Sequence, residues 1–171
     1  VIIEGPSFLI LAMDNAMPSL TEIQQKMERY CAYQERCHQE VLIKLQGMKV
    51  YGNQADTVIS YLIEQNYLNE TRFAEHFVRG KFRIKKWGKN RLVRALKQRN
   101  ISDWNIKNAM KEISDDAYSE CAETLAEKFW ASHQEKPLTI RKKKVWEAMQ
   151  YRGWETAIIM KNILRLEHHK E

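Results

Sequence analysis

A chain of 171 residues can bury a substantial core, and its 44% hydrophobic and 29% charged residues are typical of a folded globular protein rather than a disordered one. Its three cysteines have no framework spacing, which argues against a secreted disulfide scaffold and fits a reducing cytosol. Lys and Arg number 28 against 22 Asp and Glu. This surplus is unevenly distributed, and its position along the chain is the main functional signal.

The beginning of the chain, residues 1–18, is interpreted as an N-terminal arm. Its apolar part, residues 1–13, is too short to span a bilayer and is interrupted by Gly5 and Pro6. No basic residues precede it, so we predict neither a signal peptide nor a membrane anchor. Residues 167–171 are interpreted as a tail. The expected location is cytoplasmic, without membrane contact.

Two helices can be located from capping signals, and a third from the spacing of its apolar residues. Ser19 and Glu22 form a capping box, in which the two side chains satisfy free backbone amides, and this predicts a helix to about Tyr33. An asparagine N-cap predicts a second helix over 69–84, and a third is predicted over 115–131. In the second helix the apolar residues at helical spacing are Phe73, Phe77 and Ile84. Because alternating strand patterns and hairpin turns are missing, we expect an all-α protein.

An internal repeat follows these helices. Segments 38–50, 89–101 and 142–154 align without gaps at offsets of 51 and 53 residues. Their matching apolar residues are Val41, Leu45 and Val50, then Leu92, Leu96 and Ile101, then Val145, Met149 and Trp154. A period of this size is typical of tandem repeats. The alternative is a compact helical bundle in which the similarity is accidental.

Each repeat therefore comprises three helices, and the three repeats should form an elongated, curved array. The predicted units are 19–68, 69–114 and 115–166. The turns assigned between the repeat segments contain Gly52, Gly88 and Gly153. We expect positive φ angles at these glycines, since helices often end in a left-handed residue.

The middle repeat carries the charge surplus. Residues 72–101 contain eleven Lys and Arg and one acid, Glu75, which is a net charge of +10, whereas the rest of the chain has a net charge of −4. Aromatic residues are interleaved with these cations: Phe73, Phe77, Phe82 and Trp87. Such a tract predicts a polyanionic partner, with nucleic acid or a complex containing it as the first candidate.

The cations fall on helix faces that could form one surface. Arg72, Arg79 and Arg83 lie within about 40° of one another on a helical wheel. A shorter run at 141–144 begins the last segment. The predicted binding residues are Arg72, Arg79, Lys81, Arg83, Lys85, Lys86, Trp87, Lys89, Arg91, Arg94, Lys97, Arg141, Lys142, Lys143 and Lys144. The alternative is that these cations only solvate helices, but that predicts acids four residues away, and these are nearly missing from the tract.

Other site types find little support. Trp87 is the one aromatic predicted to stack on a base or partner, with packing between helices as the alternative. Cys31 and Cys37-His38 lack zinc-ligand spacing, so we predict no metal and no cofactor. A phosphate-binding glycine loop and the sequence motifs of metalloproteases and serine hydrolases are missing. We therefore predict a non-catalytic protein.

Several motifs together resemble the RecX family of bacterial recombination regulators. They are YLNETRFA at 67–74 with FVR at 77–79, KWGKNRL at 86–92, LKQRNI at 96–101 and YRGW at 151–154. The resemblance covers about residues 20–166. Asn69-Glu70 departs from the common acidic pair, and Asn90 replaces the usual proline or basic residue.

That resemblance implies three tandem three-helix repeats and a monomer that binds the RecA filament on single-stranded DNA, with double-stranded DNA as a further candidate ligand. It also implies inhibition of filament growth, ATP hydrolysis and strand exchange. A protein that binds nucleic acid by itself is the alternative function.

Overall fold

The computed structural model describes residues 18–168, and within this range every regular element is helical. The helices are α1 Leu20–Tyr33, α2 His38–Gly47, α3 Gly52–Glu64, α4 Glu70–Lys85, α5 Lys89–Lys97, α6 Asp103–Ala109, α7 Asp115–Ala131, α8 Leu138–Tyr151 and α9 Thr156–His168. A 3₁₀ turn, Met110–Glu112, extends α6. None of these helices is long and apolar enough to cross a membrane. The predictions for residues 1–17 and 169–171 lie outside the described residues.

The three capped helices begin where the sequence predicts. Ser19 and Glu22 form the capping box of α1. The side-chain oxygen of Asn69 accepts a hydrogen bond of 3.0 Å from the backbone amide of Arg72 and so caps α4. Ser114 caps α7 in the same way. The predicted helices over 19–33, 69–84 and 115–131 are therefore confirmed to within a residue or two.

The repeat is confirmed by burial at equivalent positions. The first, middle and last apolar residues of each repeat segment are all buried: Val41, Leu92 and Val145; Leu45, Leu96 and Met149; Val50, Ile101 and Trp154. α2, α5 and α8 therefore turn the same side inward in each repeat. The fold is three successive three-helix units, as the apolar offsets predict.

The equivalent turns share a left-handed residue at Lys49, Asn100 and Gly153. Gly52 and Gly153 have the predicted positive φ, at +53° and +80°. The same prediction for Gly88 is wrong, since its φ is −78° and the left-handed residue nearby is Lys86. Gly88 has a different role, because a Cβ built on it would lie 2.5 Å from the carbonyl oxygen of Gly153. Two such atoms cannot pack this closely. The turn therefore requires glycine at this position because any side chain would collide with the backbone of the last repeat.

Two hydrophobic clusters divide the array. One lies within the first repeat, around Met27, Leu45 and Leu62. The second is continuous through the middle and last repeats and also takes in Cys37 from the first. The last two repeats thus share one core, whereas the first is attached through Cys37 and polar contacts.

One core prediction on α4 is wrong. Ile84 is 76% exposed, and the residues of α4 that enter the core are Phe73, Ala74, Val78 and Phe82. Phe77 is only partly buried. The side chains that enter the core span a wider arc than the three predicted positions, because α4 packs against α6 and the 3₁₀ turn as well as α5, and its Phe82 contacts Tyr118 of α7.

Candidate polyanion-binding surface

The centre of the basic tract is the turn between α4 and α5, and backbone contacts fix it against the last repeat. The amide of Gly88 donates a hydrogen bond of 2.9 Å to the carbonyl of Arg152, and the amide of Asn90 donates one of 3.2 Å to that of Gly153. The indole Nε1 of Trp154 donates to the carbonyl of Lys86 at 3.0 Å. These three hydrogen bonds fix the backbone of the turn that carries Lys86 and Lys89.

A buried tyrosine supports the same turn from α7. Tyr118 stacks on Trp154 with ring centroids 4.5 Å apart. Its hydroxyl accepts a hydrogen bond of 2.8 Å from the amide of Lys89 and donates one to Glu155. Burial and the nearby carboxylate of Glu155 raise the pKa of Tyr118 well above its usual value of 10.0. The phenol therefore stays neutral and keeps donating.

We expect this tyrosine to make stability fall at high pH. Because the pKa of Tyr118 is raised on folding, its contribution is complete below pH 10 and is lost as the pH rises further. Unfolding by urea at a series of pH values from neutral to above 10 should show a steeper loss for the native sequence than for Tyr118→Phe. Equal slopes would contradict this. The comparison is needed because burial also raises the pKa of Cys31, to about 11.

Several predicted binding cations are paired with acids from other elements. Arg72 contacts Glu35 at 2.6 Å, Arg79 contacts Glu112 at 3.1 Å, Lys89 contacts Asp115 at 3.4 Å and Lys97 contacts Asp103 at 3.2 Å. Arg72 also donates to the backbone of Asn66, so it joins the first repeat to the second. The three other pairs are more exposed, so each contributes little stability.

Arg99, the fifth paired cation of the tract, lies 3.8 Å from Glu40. The remaining six cations of the tract have no acidic partner among residues 18–168. We call them the α4–α5 basic cluster: Lys81, Arg83, Lys85, Lys86, Arg91 and Arg94. Arg83 and Lys86 border a hollow of about 470 Å³ against α7, and Arg94 borders a shallow depression on α5. Lys81 and Lys85 border a cleft facing α1. The cluster therefore surrounds the turn rather than forming two parallel stripes.

Trp87 packs within this cluster. Its ring meets the ring of Phe77 edge-on at 6.2 Å, and the guanidinium of Arg91 lies 4.2 Å from its centroid. Arg91 also donates a hydrogen bond of 2.7 Å to the carbonyl of Tyr151. The indole is partly buried, as the packing alternative expects. The guanidinium of Arg91 thus covers one face of the indole.

The run in the last repeat contributes less than the sequence suggests. Arg141 is only 2% exposed, with its guanidinium 4.2 Å from the ring of Trp130 and a hydrogen bond to that residue's carbonyl. It is a core residue, because its position on α8 turns it toward α7, and the prediction that it lies on the binding surface needs correction. Lys142 pairs with Glu167, and Lys143 and Lys144 pair with Glu147.

We expect the contribution of Arg141 to be packing rather than charge. It has no acidic partner within the described residues, so Arg141→Met should change the free energy of unfolding by less than about 1 kcal/mol. Arg141→Ala should cost about 2 kcal/mol through the cavity it leaves. Urea unfolding measures both, with the exposed Lys143→Ala as the neutral control. A large loss with methionine would show that the charge itself is required.

Within residues 18–168, no three His, Cys, Asp or Glu side chains group closely enough to hold a metal ion. Cys31, Cys37 and Cys121 are free thiols, and burial raises the pKa of each.

The residues that hold the basic turn are the ones that sequence reasoning missed. Tyr118, Trp154 and Glu155 received no site role, although the YRGW motif at 151–154 supported the family resemblance. The pair Gly153-Trp154 in this motif was the sequence signal that could have identified these residues. Their function is indirect, because they position the turn without extending the charged surface.

Comparison with known proteins decides the family. A regulatory protein RecX from Acinetobacter baylyi is 31% identical over 128 residues, which span 75% of this chain and 77% of that protein. The chain belongs to the RecX family. The family description that matches residues 69–110, "RecX, second three-helix domain", covers the repeat that holds the basic cluster.

RecX proteins of lower sequence identity also match this chain. The regulatory protein RecX of Lactobacillus gasseri is 27% identical over 144 residues, 83% of this chain but 52% of that protein. That of Leuconostoc mesenteroides is 28% identical over 115 residues and 43% of its length. The chain thus spans about half the length of these relatives or less. The crystal structure of RecX from Lactobacillus salivarius superposes with a TM-score of 0.75 at 23% identity, covering 87% of this chain and 97% of that one, which shows the shared fold.

Proposed function

We propose that this chain binds the RecA–DNA filament through the α4–α5 basic cluster and inhibits recombinase activity without catalysing a reaction. The observation that carries the proposal is the set of six cations without acidic partners among residues 18–168, which lie on and around a turn fixed by the last repeat. Mutual repulsion among such cations is relieved when a polyanion binds and releases its counterions.

The repeat architecture supports the same partner. Tandem units present a lateral surface longer than a compact domain of equal size. A filament offers a partner of matching length, with phosphates and protein side by side. The location proposed for this activity is the cytoplasm, and the protein is proposed to act as a monomer.

The test measures ATP hydrolysis by a preformed RecA filament on single-stranded DNA while this protein is titrated in. Binding to the same DNA without recombinase is measured in the same buffer. We expect inhibition when the protein is far less abundant than recombinase, together with weak binding to naked DNA. Unchanged hydrolysis would overturn the proposal.

A second candidate function is binding of nucleic acid alone. It is favoured by Arg83, Lys85, Lys86 and Arg94, which are exposed and free of acidic partners in the described part of the chain. It predicts tight, salt-sensitive binding to naked single-stranded DNA, with inhibition only once the free DNA is coated. Weak naked binding beside strong inhibition would reject it.

A further inference from the structure

A cleft of about 540 Å³ separates the end of α1 from α4; the proposed function uses its Lys81 and Lys85 but not its apolar lining. We call it the α1–α4 cleft. The lining residues that matter here are Tyr33, Phe77, Lys81, Ile84, Lys85 and Arg99. It lies at the joint between the first repeat, with its own core, and the shared core of the other two.

Large apolar side chains border the cleft, and two of them are mostly exposed. Ile84 is 76% exposed and Tyr33 is 85% exposed, whereas Phe77 is partly buried and packs against Phe73 and Trp87. Single exposed apolar residues are common, but apolar groups that border one concave space are typical of an interaction site. Ile84 lies in the most basic stretch of the chain, where a polar residue would serve equally well on an exposed helix face. An exposed isoleucine at this position therefore suggests a contact with a partner.

The charges of the cleft are arranged in two zones. On the inner wall, Arg99 lies 3.8 Å from Glu40, and Glu35 is held by Arg72 at 2.6 Å, so charge there is balanced. The outer zone carries Lys81 and Lys85, which have no acidic partner among residues 18–168. A continuous phosphate backbone passing through would approach the carboxylates of Glu35 and Glu40, which disfavours nucleic acid as the occupant.

A peptide matches both zones. An aliphatic or aromatic side chain can enter between Tyr33, Phe77 and Ile84, while flanking carboxylates reach the ammonium groups of Lys81 and Lys85. We propose that the α1–α4 cleft binds an acidic protein segment that carries one large apolar side chain. This site goes beyond the filament proposal, because it requires neither DNA nor the cations on the α5 and α7 sides of the turn.

The experiment selects phage-displayed random peptides on the immobilised full chain and then measures the selected peptides, synthesised with a fluorophore, by anisotropy. We expect the selected sequences to combine Asp or Glu with one aromatic or aliphatic residue. Tyr33→Ser and Ile84→Ser should each weaken binding about tenfold, the scale expected for losing a buried apolar side chain. Both side chains are exposed, so neither change should unfold the protein.

The matched control is Ile43→Ser, which removes an equally large apolar side chain that is 60% exposed on α2 and does not line the cleft. It should leave peptide affinity unchanged. The proposal is overturned if no peptide is enriched, if enriched peptides lack carboxylates, or if all three variants bind equally. If Tyr33→Ser and Ile84→Ser weaken the binding of oligothymidine as strongly as that of the peptide, nucleic acid is the occupant instead.

Tyr33→Ser and Ile84→Ser leave every cation of the basic cluster in place, so filament inhibition by these variants tests the proposed function separately from the cleft. Variants that lose peptide binding but still inhibit the filament normally would show that the two sites are distinct.

Discussion

Gly153→Ala should lower the free energy of unfolding by about 3 kcal/mol, as the sum of backbone strain and overpacking. The new Cβ would lie 2.3 Å from the Cβ of Arg91 and 2.5 Å from its backbone nitrogen, and φ is +80° at this residue. Neither atom belongs to a flexible side-chain end, so the two turns must move apart. Urea denaturation should show a lower midpoint at an unchanged slope.

The same contact can be tested from its other side. A Cβ on Gly88 would meet the carbonyl oxygen and carbon of Gly153 at 2.5 and 2.6 Å, so Gly88→Ala should be similarly destabilising. Since both changes break one interface, the double variant should cost less than the sum of the single ones. Additive losses would mean that the turns are energetically independent, contrary to this structure.

Gly80→Ala is the matched control. It lies inside α4, and a Cβ there meets nothing within 4 Å. Alanine should stabilise the helix by up to about 1 kcal/mol. A destabilised Gly80→Ala, or a native urea midpoint for Gly153→Ala, would contradict the packing argument. We also expect Gly153→Ala to weaken filament inhibition, because Arg91 would lose its hydrogen bond to Tyr151.

The repeated fold was predictable because it depends on spacing alone. Residues such as Leu45, Leu96 and Met149 occupy equivalent positions, and a residue that must be buried in each unit is apolar in each unit. The capping of α1 was predictable for a similar reason, since Ser19 and Glu22 interact within one turn. Features set by local geometry or by a period are visible in a single sequence.

The glycine error has a different origin. Lys49, Asn100 and Gly153 end equivalent helices in the same left-handed conformation, so that conformation does not demand glycine here. A side chain at Gly153 would collide with Arg91, which belongs to another repeat. A side chain at Gly88 would collide with Gly153 for the same reason. Contacts between residues far apart in the chain cannot be read from the local sequence.

Charge pairing within the basic tract was missed for the same reason. Sequence spacing reveals only acids four residues away on the same helix, whereas Glu35, Glu112 and Asp115 come from other elements. Arg141 was placed on a surface because runs of cations usually are, yet its position on α8 turns it toward Trp130. Six of the fifteen predicted site residues are cations without an acidic partner among residues 18–168.

Reversing three of these cations should weaken binding to single-stranded DNA, alone or in the filament, by about a hundredfold. Arg83→Glu, Lys85→Glu and Arg94→Glu, combined in one variant, change exposed residues that have no acidic partner in the described part of the chain. Near 0.1 M salt, counterion release makes each phosphate contact worth somewhat less than tenfold in affinity, so three lost contacts amount to about a hundredfold. The plot of log affinity against log salt should also become less steep.

The matched control reverses Lys107, Lys136 and Lys161 to Glu, which changes net charge equally at exposed positions away from the turn. It should lose little affinity, and both variants should keep the native urea midpoint, since all six side chains are on the surface. Equal losses would show that net charge matters and location does not. If the first variant loses naked-DNA binding but still inhibits ATP hydrolysis, the filament contact lies outside the basic cluster. If it keeps both activities, the cluster is not the binding surface, because no arrangement of phosphates around this turn could tolerate three inverted charges.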